Sequence, residues 1–232
     1  MEVSLSIFVI GDLHLSFGVE KPMDIFQGWE NHWQRIEKNW RKLVKDTDTV
    51  IIPGDISWGL TIDEVLPDFQ FINSLPGQKI ISKGNHDYWW QTAKKLQQFI
   101  EKNNFDTIRF LHNNSYEIED KIICGTRGWI FENGQRQDEK VILREAGRLK
   151  TSLDYIKNTD KEKIVFLHYP TVYQEQRANH IINTLKEYNI KRCFYGHLHG
   201  KTINYAFNGV HEGTKYKLIS ADAIDFCPYI ID

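Results

Sequence analysis

One layout recurs five times in this chain and constrains its fold more than anything else: a short apolar run followed at once by residues with metal-ligand chemistry. The runs are SLSIFVI before Gly11-Asp12-Leu13-His14, DTVIIP before Gly54-Asp55, KIIS before Lys83-Gly84-Asn85-His86-Asp87, KIVFL before His168-Tyr169-Pro170, and KRCFY before Gly196-His197-Leu198-His199. Short runs of mostly aliphatic or aromatic residues read as buried strands. A glycine or polar group straight after the run marks the strand's carboxyl end, the edge where open α/β sheets place their sites. Five such edges bearing Asp, His or Asn are expected to converge on one site.

Between the runs the spacing turns helical. Trp29, Trp33, Ile36, Trp40, Leu43 and Val44 recur at intervals of three and four and define one face of a helix. Further helices are predicted over 62–75, where Thr61 and Glu64 form a capping box, and over 92–102, 138–156 and 178–188. Short strands are predicted over 107–111, 115–118 and 121–124. Segments 201–207 and 215–220 read as a hairpin with a longish loop after the Asn208-Gly209 turn signal. An early βαβαβα order followed by hairpins gives an α/β chain with a pair of mixed sheets and helices outside. A single domain over 1–232 is expected.

With 26% charged and 41% hydrophobic residues the composition is that of an ordered globular protein. The net charge of −2 gives no global pull toward nucleic acid. Of three cysteines, Cys124 and Cys193 sit in apolar runs, and the set forms no CxxC; buried thiols in a reducing cytosol are expected. The apolar run at 3–10 lacks a basic leader and runs straight into Asp12, so it does not read as a signal peptide. No apolar stretch has the length of a membrane span. A cytoplasmic location follows as an expectation.

Asp12 and His14 are two apart, so on a strand they point the same way and can grip one cation. His197 and His199 repeat that spacing. Asp55 adds a carboxylate whose two oxygens can bridge two cations, while Asn85 and His168 supply single ligands. Imidazole, carboxylate and amide oxygen together suit divalent Mn, Fe, Zn, Co or Ni, and the absence of cysteine from these edges excludes a thiolate zinc site. Two such ions, about 3.5–4 Å apart, are the usual arrangement for in-line attack on phosphorus by a hydroxide they share. The leaving oxygen then needs a proton. His86, beside Asn85, is placed to supply it, and Asp87 to raise its pKa.

Taken in order and in strand context, the five motifs resemble those of the calcineurin-like metallophosphoesterase superfamily, in particular its small prokaryotic predicted phosphohydrolases. The resemblance runs from Gly11 to at least Gly200. It implies a four-layer α/β/β/α sandwich of two mixed β-sheets flanked by helices, with a dinuclear site. It implies that Asp12, His14 and His199 hold one metal, that Asn85, His168 and His197 hold the other, that Asp55 bridges, and that His86 is the general acid. The chain departs from the superfamily's protein phosphatases. Those carry an Arg soon after the bridging Asp and another after the GNH[ED] motif, where this chain has Ile56-Ser57-Trp58-Gly59 and Tyr88-Trp89-Trp90. The missing clamp arginines argue against a protein substrate and favour a diester or a small, flat phosphate ester.

Several residues carry two readings. Trp58, Trp89, Trp90 and Trp129 are either an aromatic rim that stacks a flat leaving group or plain core. Arg127 is either a bidentate phosphate clamp or half of a structural ion pair. Asp222 and Asp225 are either groups that support the metal ligands from behind or turn formers, and the turn reading is preferred. A nuclease would need a basic groove, and no Lys/Arg run borders the motifs. A non-catalytic metal-binding scaffold of the same family type would lack His86, which is present.

Overall fold

The computed structural model describes residues 5–130, 136–157 and 159–231. Val3 and Ser4, at the start of the first apolar run, lie outside the described residues. In chain order the elements are β1 (Ile7–Val9), α1 (His32–Leu43), β2 (Thr49–Pro53), α2 (Leu66–Ser74), β3 (Gln78–Ser82), α3 (Ala93–Lys102), β4 (Ile108–Phe110), β5 (Tyr116–Ile118), β6 (Lys121–Thr126), α4 (Arg136–Tyr155), β7 (Glu162–Leu167), β8 (Val172–Tyr173), β9 (Gln176–Arg177), α5 (Asn179–Glu187), β10 (Arg192–Tyr195), β11 (Gly209–His211), β12 (Thr214–Leu218) and β13 (Tyr229–Ile231).

Two large mixed sheets result. One has the order β13-β1-β2-β3-β4 and the other β11-β12-β10-β7-β6-β5. The inner pairs are parallel, as βαβ connections require, and β13, β5 and β11 add antiparallel edges.

Strand alternation then sorts the apolar side chains into three cores. Phe8, Val50, Ile52 and Ile81 face outward to Ile36, Trp40, Phe69 and Leu96 of the first three helices. Cys124, Val165, Leu167 and Tyr195 face outward to Ile142, Leu149, Ile181 and Leu185 of the last two. Ile7, Val9, Ile51 and Ile80 meet Ile123, Ile164, Phe166 and Phe194 between the sheets. Three cores separate four layers, α/β/β/α, as expected.

Two local expectations are corrected. Segment 201–207 is not a strand: Gly200–Tyr205 is a 3-10 helix, begun by reciprocal bonds between His199 and Thr202. The hairpin is instead formed by β11 and β12, and Asn208 Oδ1 accepts the Leu218 N–H rather than making the turn. Helix α2 starts at Leu66, later than 62, because Pro67 has no N–H to donate back to Asp63. The Thr61–Glu64 capping pair does form, at 3.3 Å in both directions, and closes the turn ahead of it.

Candidate metal centre and active site

Each ligand-bearing loop leaves the carboxyl end of a parallel strand, and the loops from both sheets meet. Beyond β1 the chain does not continue as a strand. Asp12 and His14 have φ of 59° and 45°, in the left-handed region, and their N–H groups donate to the carbonyls of Gly54 and Asp55, each at 3.0 Å. Leu13 between them is buried in the core beside β1. The two ligands thus point the same way, through loop geometry and not through a pleat. Asp55 and His197 also have positive φ, 51° and 74°. Left-handed backbone at a non-glycine residue costs roughly 1–2 kcal/mol and recurs at functional sites. The glycines before the ligands are there for space: a Cβ on Gly84 would overlap Asp55 Oδ1, and one on Gly196 would overlap Asp12 Oδ2.

The seven residues expected to hold cations converge. Ligand atoms of Asp12, His14 and His199 lie within 4.8 Å of one another, and so do those of Asp12, Asp55 and His168. Asn85 Oδ1 lies 2.6 Å from His168 Nε2 and 2.9 Å from His197 Nδ1. Asp55 Oδ2 stands between the groups, 3.8 Å from His14 Nε2 and 3.4 Å from His168 Nε2. Asp12 is common to the two carboxylate–imidazole groups, and Asp55 Oδ2 lies near a histidine of each.

The electrostatics are those of a donor set built for cations. Burial, and then the His199 charge, hold the His14 and His168 imidazoles well below the ordinary histidine range. Burial brings His197 down to about 3. These rings are neutral and keep a lone pair free. Burial, then the Asp87 and Asp12 carboxylates, push Asp55 well above the usual carboxylate range. Crowded acids of this kind are what divalent ions relieve. For His199, burial disfavours the charge, but Asp12 and Asp222 outweigh it and hold the ring up to about 10. A cation bound there would take the place of that proton.

Of its two readings Asp222 takes the ligand-supporting one, the partner that orients His199: Nδ1 and Oδ1 are 2.9 Å apart, and the Gly200 N–H donates to Oδ2 at 2.8 Å. A carboxylate behind a ligating imidazole fixes which nitrogen faces the site. Trp29, read only as helix face, edges onto both His14 and His199, with centroids 5.7 and 5.5 Å away.

Asp87 is a correction. Among the described residues its carboxylate has no contact with the His86 ring. It is fully buried and accepts four N–H groups, from Gly84 at 2.7 Å, Asp55 at 2.9 Å, Ile56 at 2.9 Å and the Trp89 indole at 3.1 Å. His86 is pulled below the ordinary histidine value by burial, with Asp12 opposing. Its own N–H donates to Asp55 Oδ1 at 2.8 Å, and its ring packs 4.5 Å from Trp58.

The tryptophans divide. Trp58 is half-buried, stacks on His14 at 4.9 Å and lines a cleft of about 830 Å³ shared with His14, His86, His199, Trp29 and Phe26. Trp89 is fully buried against Phe69, so its rim reading is corrected to core. Trp129 donates to Asp138 Oδ1 at 3.1 Å and packs on Tyr169. Arg127 lies over Trp129 at 4.8 Å, with Nη2 3.8 Å from Glu145 Oε1, and its carbonyl accepts the His168 N–H.

A sequence profile described as calcineurin-like phosphoesterase matches residues 5–201, which take in every one of these ligands. The chain belongs to the calcineurin-like phosphoesterase family. Members of this family hydrolyse phosphate esters with divalent metal ions. The sequence matches none of the curated proteins. Among solved structures the chain is similar to TT1561 of Thermus thermophilus (TM-score 0.59, 12% identity, 98% of each chain covered). It is also similar to the phosphopantetheinyl hydrolase of Mycobacterium tuberculosis (0.55, 10%, 95% and 90%) and to the protein of unknown function AQ665 from Aquifex aeolicus (0.51, 17%, 98% and 96%). At these identities the likeness is one of fold. Among the described residues no helix is long and apolar enough to cross a membrane.

Proposed function

We propose that this member of the family is a dinuclear metallophosphoesterase that hydrolyses a small, flat phosphate ester or diester. The observation that carries the reading is Asp55 Oδ2 lying 3.8 Å from His14 Nε2 and 3.4 Å from His168 Nε2; on this reading Asp12, His14 and His199 hold one ion, Asn85, His168 and His197 hold the other, and Asp55 bridges. Two divalent ions, from the set Mn, Fe, Zn, Co and Ni, supply Lewis acidity and hydroxide near neutral pH when bound.

The chain's own residues do the rest. Buried Asp12 and Asp55 carry the negative charge that balances the cations. Asp222 orients His199. His86 stands at the cleft beside the ligands without belonging to either group, so its imidazole can give a proton to the leaving oxygen. The substrate's negative charge favours the protonated imidazole that this step needs. Trp58 offers a flat face to the leaving group next to His86.

Elemental analysis and a hydrolysis screen test the reading together. Protein grown with Mn or Fe should carry close to two transition-metal ions per chain and cleave nitrophenyl esters. Asp55→Asn should lower metal content and activity together, while His180→Ala, on the part-exposed face of α5, should move neither. Full activity without bound metal, or equal effects from the two variants, would refute it.

A further inference from the structure

The largest unexplained feature lies on the other flank of the site. A cleft of about 540 Å³ is lined by Lys83, Arg127, Arg144, Arg148, His112 and Glu145. Three guanidiniums and a lysine meet one carboxylate there, in a chain whose net charge is −2. That carboxylate is already committed. Glu145 is fully buried, takes the Thr126 hydroxyl on Oε2 at 2.6 Å and Arg148 Nη1 on Oε1 at 2.6 Å, and has Arg127 and Arg144 nitrogens 3.8 and 3.9 Å from Oε1. It acts as an anchor under the arginines and leaves most of their charge uncompensated. Arg127 Nε and His112 Nδ1 are buried and have no hydrogen-bond partner among the described residues. Buried polar groups left unpaired in a native fold call for an explanation, and an absent anion is one. His112 is held below its ordinary pKa chiefly by burial, and the Arg148 and Lys83 charges add to the shift.

The cleft adjoins the metal-facing edges. Lys83 is two residues before Asn85, so their Cα atoms are at most about 7.6 Å apart. Arg127 receives the His168 N–H on its carbonyl at 3.0 Å. The aromatic cleft opens from His14 and His199, whereas this one flanks Asn85 and His168.

We infer that this basic cleft is a second phosphate-group site, which takes a phosphate dianion beside the metal centre. Guanidinium forks suit phosphate oxygens bidentately, and three converge here. The phosphate has two possible sources, a second phosphate carried by the substrate or free inorganic phosphate. The first source rests on the phosphoesterase reading above; the anion site itself does not.

Inorganic phosphate titrated into the metal-loaded protein, at constant ionic strength, should shift the His112 imidazole proton resonance saturably. The double variant Arg144→Gln/Arg148→Gln should weaken that binding at least tenfold. Both side chains are about half exposed on α4, so the fold should tolerate it; Lys42→Gln, exposed on α1, none of whose residues lines the cleft, should bind as wild type. Adenosine 3′,5′-bisphosphate and AMP then separate the sources. If the site serves the substrate, the ratio of their KM values rises at least tenfold in the double variant; if it serves free phosphate, the ratio stays put while binding is lost. No saturable shift, or the same affinity in both proteins, overturns the site. A metal-loaded wild type with no esterase activity but an intact His112 shift would instead overturn the proposed function and leave the anion site standing.

Discussion

The backbone N–H of Asp55 donates to Asp87 Oδ2 at 2.9 Å, which ties the loop after β2 to the loop after β3. Oδ2 also takes the Gly84 N–H, while Oδ1 takes Ile56 N–H and the Trp89 indole. An Asn at this position has only one acceptor oxygen and would turn an NH2 toward donors. Asp87→Asn should therefore lower thermal stability and metal content, and reduce kcat on alkyl and nitrophenyl esters alike. Differential scanning fluorimetry with metal analysis checks this; a variant with normal melting and a loss confined to alkyl esters would put Asp87 behind His86 after all.

His86 should behave differently. His86→Ala is expected to keep the metals and to lose 10²- to 10⁴-fold in kcat on an alkyl ester. On an activated nitrophenyl ester the loss should be smaller, because that phenolate departs without a proton. Parallel kinetics on the two esters, with metal content measured on the same samples, make the comparison. Equal losses would assign His86 to binding or to the geometry of Asp55, whose Oδ1 its N–H meets at 2.8 Å.

Trp58 and Trp89 give a paired test. Trp58→Leu should raise KM for aryl or nucleotide esters several-fold more than for a small alkyl phosphate. Trp89→Leu should leave the KM pattern alone and destabilise the fold by roughly 3 kcal/mol, as removal of a large, fully buried aromatic does. Steady-state kinetics and urea melts of both variants decide; interchangeable effects would contradict the division between cleft and core.

Asp68 sets a pH dependence of stability. Its carboxylate is buried, accepts the Ser57 hydroxyl and the Phe17 N–H, and burial pushes its pKa up from 3.8 to about 6. The folded state thus binds the proton more tightly than the unfolded one. Its contribution is fully present below pH 3.8 and is lost as pH rises through 6. Between pH 5 and pH 8 wild type should lose roughly 1.4 kcal/mol from this group, and Asp68→Asn should not. Urea midpoints of both proteins across that range test it; a stability difference independent of pH would show that Asp68 does not titrate there.

The five strand edges and their ligands were legible because each piece of evidence is local: an apolar run, a glycine where the loops crowd, a polar group after it. What joins residues distant in sequence was not. Asp222 acts on His199 from 23 positions away, and nothing around it differs from an ordinary turn. Asp87 sits next to His86 in sequence, which suggested a pair, but its bonds run to another loop. Asp12 and His14 do share a side, but the loop's hydrogen bonds to Gly54 and Asp55 supply that placement, not the pleat that the two-residue spacing suggests. Segment 201–207 has strand composition, and the Thr202 hydroxyl's bond to His199 overrides it.

The ligand set is divided between the two sheets. Asp12, His14, Asp55 and Asn85 follow strands of one, and His168, His197 and His199 follow strands of the other. Neither half of the chain can assemble the centre alone, and it completes only when the inter-sheet core has closed. A cation held there is a staple across the seam, so chelators should loosen the docking of the sheets before either sheet frays. Metal binding there would in this sense be a check that the two halves of the chain have met in register.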